Sequence, residues 1–183
     1  MFEPTMFFAL DYTSSIPRSL RLRMLARVLD VLESYKLFTI ILFGENAYPI
    51  IEYSAEAQLP LDKQGILAHI AGIKDFHGRS DPSQVVKLVT ELGDAQLEHP
   101  RLVIVWQPPR RGVQDFELIL VSSLNNGLKP LLVVPTTSPP KWLMKNRIMS
   151  LLGGVIYLRQ NMKIETLVSK SLEHVSEGLG YAI

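Results

Sequence analysis

Short apolar runs alternate with helical patterns along this chain of 183 residues, and this alternation restricts the fold more than any other feature. Each run is nearly continuous in apolar side chains, which is typical of parallel strands that are buried on both faces of a sheet. The runs cover residues 5–10, 37–43, 102–106, 131–134 and 155–158. We therefore expect a central, largely parallel sheet.

Helical patterns with recognisable ends separate most of these runs. In the first, leucines repeat on one side; another begins at Asp81, which suits an N-cap, with Pro82 in the first helical position. Gly127 and the pair Gly153-Gly154 stand where two further helices are expected to end. The predicted helices cover residues 17–35, 81–92, 113–126, 141–152 and 164–179.

The segment 47–53 differs from the other strands because it mixes polar with apolar residues and follows its neighbour after only three residues. So short a link permits an antiparallel hairpin but not a parallel crossover. The sequence thus predicts a doubly wound α/β fold: a mostly parallel six-stranded sheet with one antiparallel edge strand and helices on both faces. We expect residues 1–183 to form a single domain, since no linker or repeat divides them.

The composition narrows the functional classes. The absence of cysteine excludes disulfide frameworks, thiolate zinc sites and cysteine nucleophiles, and the formal charge of +1 gives no general attraction to nucleic acid. No apolar stretch approaches the roughly 20 residues of a membrane span, and no signal peptide is recognisable. We expect a cytoplasmic protein without a membrane partner.

The strand pattern also predicts where a ligand would bind. In open α/β sheets, ligands lie beyond the carboxyl ends of the strands, at the point where the strand order reverses. Here that point separates the first strand, which ends at Asp11, from the strand that ends at Trp106-Gln107. We expect Asp11 and Gln107 to face each other across one crevice.

The segment Asp11-Tyr12-Thr13-Ser14-Ser15 places one carboxylate and two hydroxyls at alternating positions just after the first strand. Hard divalent cations such as Mg²⁺ favour oxygen ligands of this kind. The same residue types also cap helix starts, so the pattern alone leaves a capping role open.

Over nearly its whole length the chain resembles the von Willebrand factor A (VWA) domain family. That family's metal-ion-dependent adhesion site begins with Asp-x-Ser-x-Ser, which Asp11–Ser15 resembles. Its second element, a Gly-Gly-Thr-Asp loop, is similar to Gly78-Arg79-Ser80-Asp81. Its third element is an Asp in a Thr-Asp-Gly turn after the fourth strand, and that position is occupied here by Gln107. The segments Phe43-Gly44-Glu45-Asn46-Ala47 and 151–157 also resemble the family in order and spacing.

The resemblance implies a Mg²⁺ or Mn²⁺ ion held by Asp11, Thr13, Ser15, Ser80 and Gln107. Gln107 replaces an acidic residue, and one charge about 5 Å from a divalent ion is worth roughly 6 kcal/mol at an effective dielectric near 20. The adhesion site is therefore incomplete. The site either binds metal or is degenerate. In the degenerate case Asp11 is paired within the chain, for example with one of the nearby arginines Arg79, Arg110 and Arg111.

We expect a non-enzymatic module that binds a protein partner at this face, in the manner of adaptors for ATPases or multisubunit complexes in this family. The partner-binding candidates are Tyr12, Arg79, Trp106 and Arg110, since aromatic and arginine side chains dominate interfaces. The chain has no Gly-rich nucleotide loop and no Gly-x-Ser-x-Gly elbow. The alternatives are a metal-independent scaffold subunit of a nucleic-acid-processing or ATPase complex, and a hydrolase that uses Asp11 as its base.

Overall fold

The computed structural model describes residues 5–54, 61–92, 101–110, 128–144 and 154–176. Its strands form one six-stranded sheet in the order β3-β2-β1-β4-β5-β6, in which β3 runs antiparallel to β2 and all other neighbours are parallel. The strands are β1 (Met6–Asp11), β2 (Leu37–Phe43), β3 (Ala47–Ser54), β4 (Arg101–Val105), β5 (Leu131–Val134) and β6 (Gly154–Tyr157). The predicted sheet and its antiparallel edge strand are confirmed.

The described helices are α1 (Arg18–Leu32), α2 (Lys63–Ala71), α3 (Ser83–Leu92), α4 (Lys141–Met144) and α5 (Ile164–Ser176). Pro17 is the N-cap residue of α1, as its fixed backbone angle suits, and Asp81 caps α3 by accepting a hydrogen bond from the Ser83 amide at 3.0 Å. The predicted helix 113–126 and the predicted continuation through 145–152 lie outside the described residues.

The two faces of the sheet are covered by different helices. Alternate residues of a strand point to opposite faces, so Phe8 and Leu10 pack with α1 and α5, whereas Phe7 and Ala9 pack with α3 and α4. Continued for one more step, the alternation sends Asp11 to the α3 face and Tyr12 to the α1 face. The predicted doubly wound architecture is therefore present in the described part of the chain.

The strand order reverses between β1 and β4, which are direct neighbours and pair Leu10 with Val105. Their carboxyl ends therefore lie side by side at the centre of the sheet, which is the position at which open α/β sheets bind ligands. None of the helices in the described segments is both long and apolar enough to cross a bilayer.

Candidate functional site

Asp11 is the centre of a group of oxygen-bearing residues at the carboxyl ends of β1 and β4. Its side chain is fully buried, and its Oδ1 accepts hydrogen bonds from the Thr13 amide at 3.1 Å and the Thr13 hydroxyl at 2.7 Å. Its Oδ2 accepts a long hydrogen bond from the Gln107 amide, at 3.4 Å. The predicted meeting of Asp11 and Gln107 across the two strand ends is thus observed, through the Gln107 backbone.

Two serines complete what we call the oxygen cluster, the set Asp11, Thr13, Ser15, Ser80 and Gln107. Ser80 is buried, and hydrogen bonding from its side chain lowers the pKa of Asp11. Ser15 is exposed, and its amide donates to the Thr13 hydroxyl at 3.3 Å. Thr13 contacts Asp11 through its side chain, whereas Ser15 and Gln107 join the cluster through their backbone amides, and Ser15 is exposed to solvent.

Burial sets the electrostatics of Asp11. Desolvation raises its pKa above the ordinary value of 3.8, and the hydrogen bonds from Thr13, Ser80 and Gln107 partly oppose that rise. In the described part of the chain, the groups that contact this carboxylate are hydroxyls and backbone amides. Neutral donors stabilise the ionised carboxylate without cancelling its charge. The arrangement suits a site that accepts a cation.

The loops around the oxygen cluster are tightly joined. Phe76 bridges to Thr13, and its amide donates to the Tyr12 carbonyl at 3.0 Å, while the Asp81 amide donates to the Gly44 carbonyl at 2.8 Å. Gly44 is required for this approach, because a Cβ there would lie only 2.9 Å from the Cβ of Phe76. The family-like segments around Gly44 and Ser80 therefore have a structural reason to occur together.

Two of the predicted partner anchors are corrected by the structure. Tyr12 and Trp106 are both fully buried, because each continues the hydrogen bonding of its strand and turns its ring into a core cluster. The Tyr12 hydroxyl donates to the Ile70 carbonyl at 2.8 Å. A buried ring offers no surface to a partner, so these two residues are not retained as anchors. Arg79 and Arg110 are exposed.

A second buried charge, missed by the sequence analysis, lies beside the oxygen cluster. The side chain of Arg21, on α1, is only 1% exposed. Its guanidinium donates to Asp75 Oδ1 at 2.5 Å and to the Tyr12 carbonyl at 3.1 Å, and its central carbon lies 4.2 Å from the Tyr12 ring centroid. Its position in the helix was the available signal for this burial. Residue 21 lies on the same face of α1 as the buried residues 24, 25, 28, 29 and 32.

The other arginines of α1 also make contacts within the chain. Arg23 donates to both carboxylate oxygens of Glu165, at 2.8 and 2.9 Å, and Arg27 donates to the Ser169 hydroxyl at 2.7 Å. Both partners lie on α5. These contacts tie the two helices together, so Arg23 and Arg27 have partners within the chain.

An apolar groove, also missed, flanks the site at the β2–β3 turn. Tyr48 is 48% exposed, and its ring meets that of Phe76 edge to face with 5.6 Å between centroids. Ile50 and Ile73 complete the apolar lining of a cavity of about 650 Å³. The period-two alternation of a half-exposed edge strand was the available signal for Tyr48.

Comparisons with known proteins agree with this geometry. No family model and no curated protein matches the chain by sequence. A von Willebrand factor type A protein from Catenulispora acidiphila superposes with a TM-score of 0.67 at 14% identity, over 97% of this chain and 43% of that one.

Two further structures with a similar fold contain bound metal. Proximal thread matrix protein 1 from the mussel byssus, with a zinc-occupied MIDAS motif, has a TM-score of 0.59 at 14% identity over 96% of this chain and 46% of that one. Manganese-loaded TRAP protein of Plasmodium vivax has a TM-score of 0.57 at 11% identity, over 87% of this chain and 69% of that one. This chain therefore has the VWA fold, as the sequence resemblance implied. It spans less than half of the Catenulispora acidiphila protein and of the mussel protein.

Proposed function

We propose that this chain is a non-enzymatic protein-interaction module, with residues 1–183 as one VWA-type domain, that binds its partner at the carboxyl-end face of the sheet. The observation that supports the proposal is the buried Asp11 carboxylate, which contacts only neutral donors among the described residues. We infer that a divalent cation, Mg²⁺ or Mn²⁺, compensates this charge when the module is active.

The residues at the site fit such an ion. Hard cations prefer oxygen ligands, and Mg²⁺ is commonly held by one or two carboxylates together with water. Asp11 supplies the carboxylate, Thr13, Ser15 and Ser80 supply hydroxyls, and Gln107 supplies an amide oxygen. A cation held there would offer a coordination position to an oxygen atom of the partner. The zinc- and manganese-containing structures of the same fold support this inference.

The rim of the site indicates an acidic partner. Arg79 lies one residue before Ser80, and Arg110 lies three residues after Gln107; both side chains are exposed. Positive side chains around a cation site favour a partner that brings carboxylates, and they accelerate its approach. We therefore propose an acidic segment of a partner protein, one carboxylate of which would reach the cation.

Calorimetric titration with MnCl₂ and MgCl₂ tests the cation directly. Wild-type protein should release or absorb heat that fits one site, and Asp11→Asn should give none because the carboxylate is lost. Asp30→Asn is the matched control, since Asp30 is an exposed carboxylate on α1 that contacts Lys63. The control should titrate like wild type. Null heats for all three proteins would end the metal-dependent version.

The metal-independent scaffold remains the second candidate. It is favoured by the internal hydrogen bonding of the cluster, in which Thr13 already provides two donors to one oxygen of Asp11. A subunit of an ATPase or nucleic-acid-processing complex would then use the same face without a cation. Affinity capture from native extract, with and without chelator, separates the two candidates. Capture that survives chelator and Asp11→Asn but is lost in Arg79→Ala would favour the scaffold.

A further inference from the structure

Trp106 is fully buried, yet its one polar atom is directed at the oxygen cluster. Its Nε1 donates a hydrogen bond to the Ser80 Oγ at 3.1 Å, and Ser80 itself is only 6% exposed. The next residue, Gln107, donates its backbone amide to Asp11. The two residues that follow β4 therefore both contribute to this site, the first through its side chain and the second through its backbone.

The chemistry of the three groups fixes the direction of each hydrogen bond. An indole nitrogen only donates, so the Ser80 Oγ must accept from Trp106. An ionised carboxylate only accepts, so the hydrogen bonding by which Ser80 lowers the pKa of Asp11 uses the hydrogen of the Ser80 hydroxyl. The result is a chain of donors from Trp106 through Ser80 to Asp11, in which each bond polarises the next.

The Trp106 ring is itself held in place. It packs in the core cluster on the α3 face and meets the Trp142 ring of α4 edge to face, with 6.4 Å between centroids. A fixed indole gives a fixed hydrogen-bond vector. One lone pair of the Ser80 Oγ is thereby occupied by Trp106, its hydrogen points to Asp11, and one lone pair is left for a ligand.

We propose that Trp106 is the positioning residue of the oxygen cluster: it sets the orientation of the Ser80 hydroxyl and so keeps one Ser80 lone pair available to a cation. The part that concerns the cation rests on the proposed function. The positioning of Ser80 by Trp106 does not rest on the proposed function, and it is testable in metal-free protein.

Exchange of the Trp106 indole hydrogen with D₂O, followed by NMR, tests the hydrogen bond without metal. The chain has two tryptophans, so Trp142→Phe assigns the signals. Ser80→Ala should accelerate exchange about tenfold, which corresponds to roughly 1.4 kcal/mol, the scale of one buried hydrogen bond. Ser80→Thr keeps a hydroxyl and should retain protection. Ser171→Ala, a buried serine on α5, is the control and should leave exchange unchanged. Equal exchange in Ser80→Ala and wild type would overturn the proposal.

A double-mutant cycle then separates positioning from mere structural support. Trp106→Phe should weaken Mn²⁺ binding about five- to tenfold, and it should add nothing in the Ser80→Ala background, because the indole acts through that hydroxyl. Independent, additive losses would overturn the positioning role. If wild-type protein binds no Mn²⁺, the metal-dependent version of the proposed function fails. In that case, the same double-mutant cycle is measured on the equilibrium constant of unfolding. Together with the indole exchange, this cycle decides whether Trp106 acts through Ser80.

Discussion

Two buried charged side chains lie on either side of Tyr12, and they are satisfied in opposite ways. Asp11 points to the α3 face and accepts hydrogen bonds from hydroxyls and amides. Arg21 lies on the α1 face, where Asp75, the Tyr12 carbonyl and the Tyr12 ring surround its guanidinium. One charge is surrounded by neutral donors, whereas the other has a counter-ion.

This difference separates a structural site from a candidate binding site. A buried ion pair is locally neutral and gains nothing from a further ion, whereas a carboxylate held by neutral donors retains its charge. The pKa directions agree: desolvation raises the pKa of Asp11, whereas the hydrogen bond from Arg21 lowers that of Asp75. The contacts of Arg21 support the Tyr12 loop, and the uncompensated charge of Asp11 is the reason we propose it as the ligand-binding residue.

The largest expected effect comes from the ion pair. Asp75→Asn leaves Arg21 buried without its counter-ion and should lower the free energy of unfolding by about 2 to 3 kcal/mol, at the low end for such losses because Asp75 is 42% exposed. Arg21→Met removes the buried charge itself and should lower it by only about 1 kcal/mol, the cost of the lost bond to the Tyr12 carbonyl. Urea titration measures both.

The matched control for this comparison is Arg23→Met, the same substitution on the same helix at an arginine whose ion pair with Glu165 is exposed. It should be less destabilising than either change at the buried pair. If Arg21→Met proved more destabilising than Asp75→Asn, the guanidinium would stabilise the fold in some way other than as half of a neutral pair.

The smaller expected effect is in the pH dependence, where the two carboxylates should differ in sign. Asp75 has a lowered folded pKa, so its contribution to stability is present above its unfolded value, near 3.8, and is lost as the pH falls through the folded pKa. Asp11 has a raised folded pKa, so its contribution is full below 3.8 and is lost as the pH rises through the folded pKa.

Urea titrations between pH 3 and pH 7 in metal-free buffer, with wild type, Asp75→Asn and Asp11→Asn, measure this contrast. The stability difference between wild type and Asp75→Asn should grow with pH, and that between wild type and Asp11→Asn should shrink. Parallel trends for the two variants would remove the distinction between the two sites.

Much of the fold was predictable because it depends on local patterns. Continuous apolar runs predicted the strands, a three-residue link predicted the antiparallel hairpin, and the order of the strands predicted that Asp11 and Gln107 meet. These inferences need only periodicity, connection length and the handedness of crossovers.

Side-chain burial beyond the last strand residue was harder to predict. Tyr12 and Trp106 lie just past β1 and β4 and were predicted to bind a partner. Each instead extends its strand by one hydrogen bond and points into the core. The burial of Arg21 was not predicted, since arginine is rarely buried without a partner. That partner, Asp75, is 54 residues away in the sequence, so no local pattern indicates the pair.

The central claim is that Asp11 is the charge to which a cation binds. Mn²⁺ broadens NMR signals of nearby nuclei, so substoichiometric MnCl₂ added to ¹⁵N-labelled protein locates the ion. The account predicts selective loss of the Thr13, Ser80 and Gln107 amide signals in wild type and in Asp30→Asn, with all three retained in Asp11→Asn. Broadening that is unchanged in Asp11→Asn, or that occurs only around other carboxylates, would contradict it.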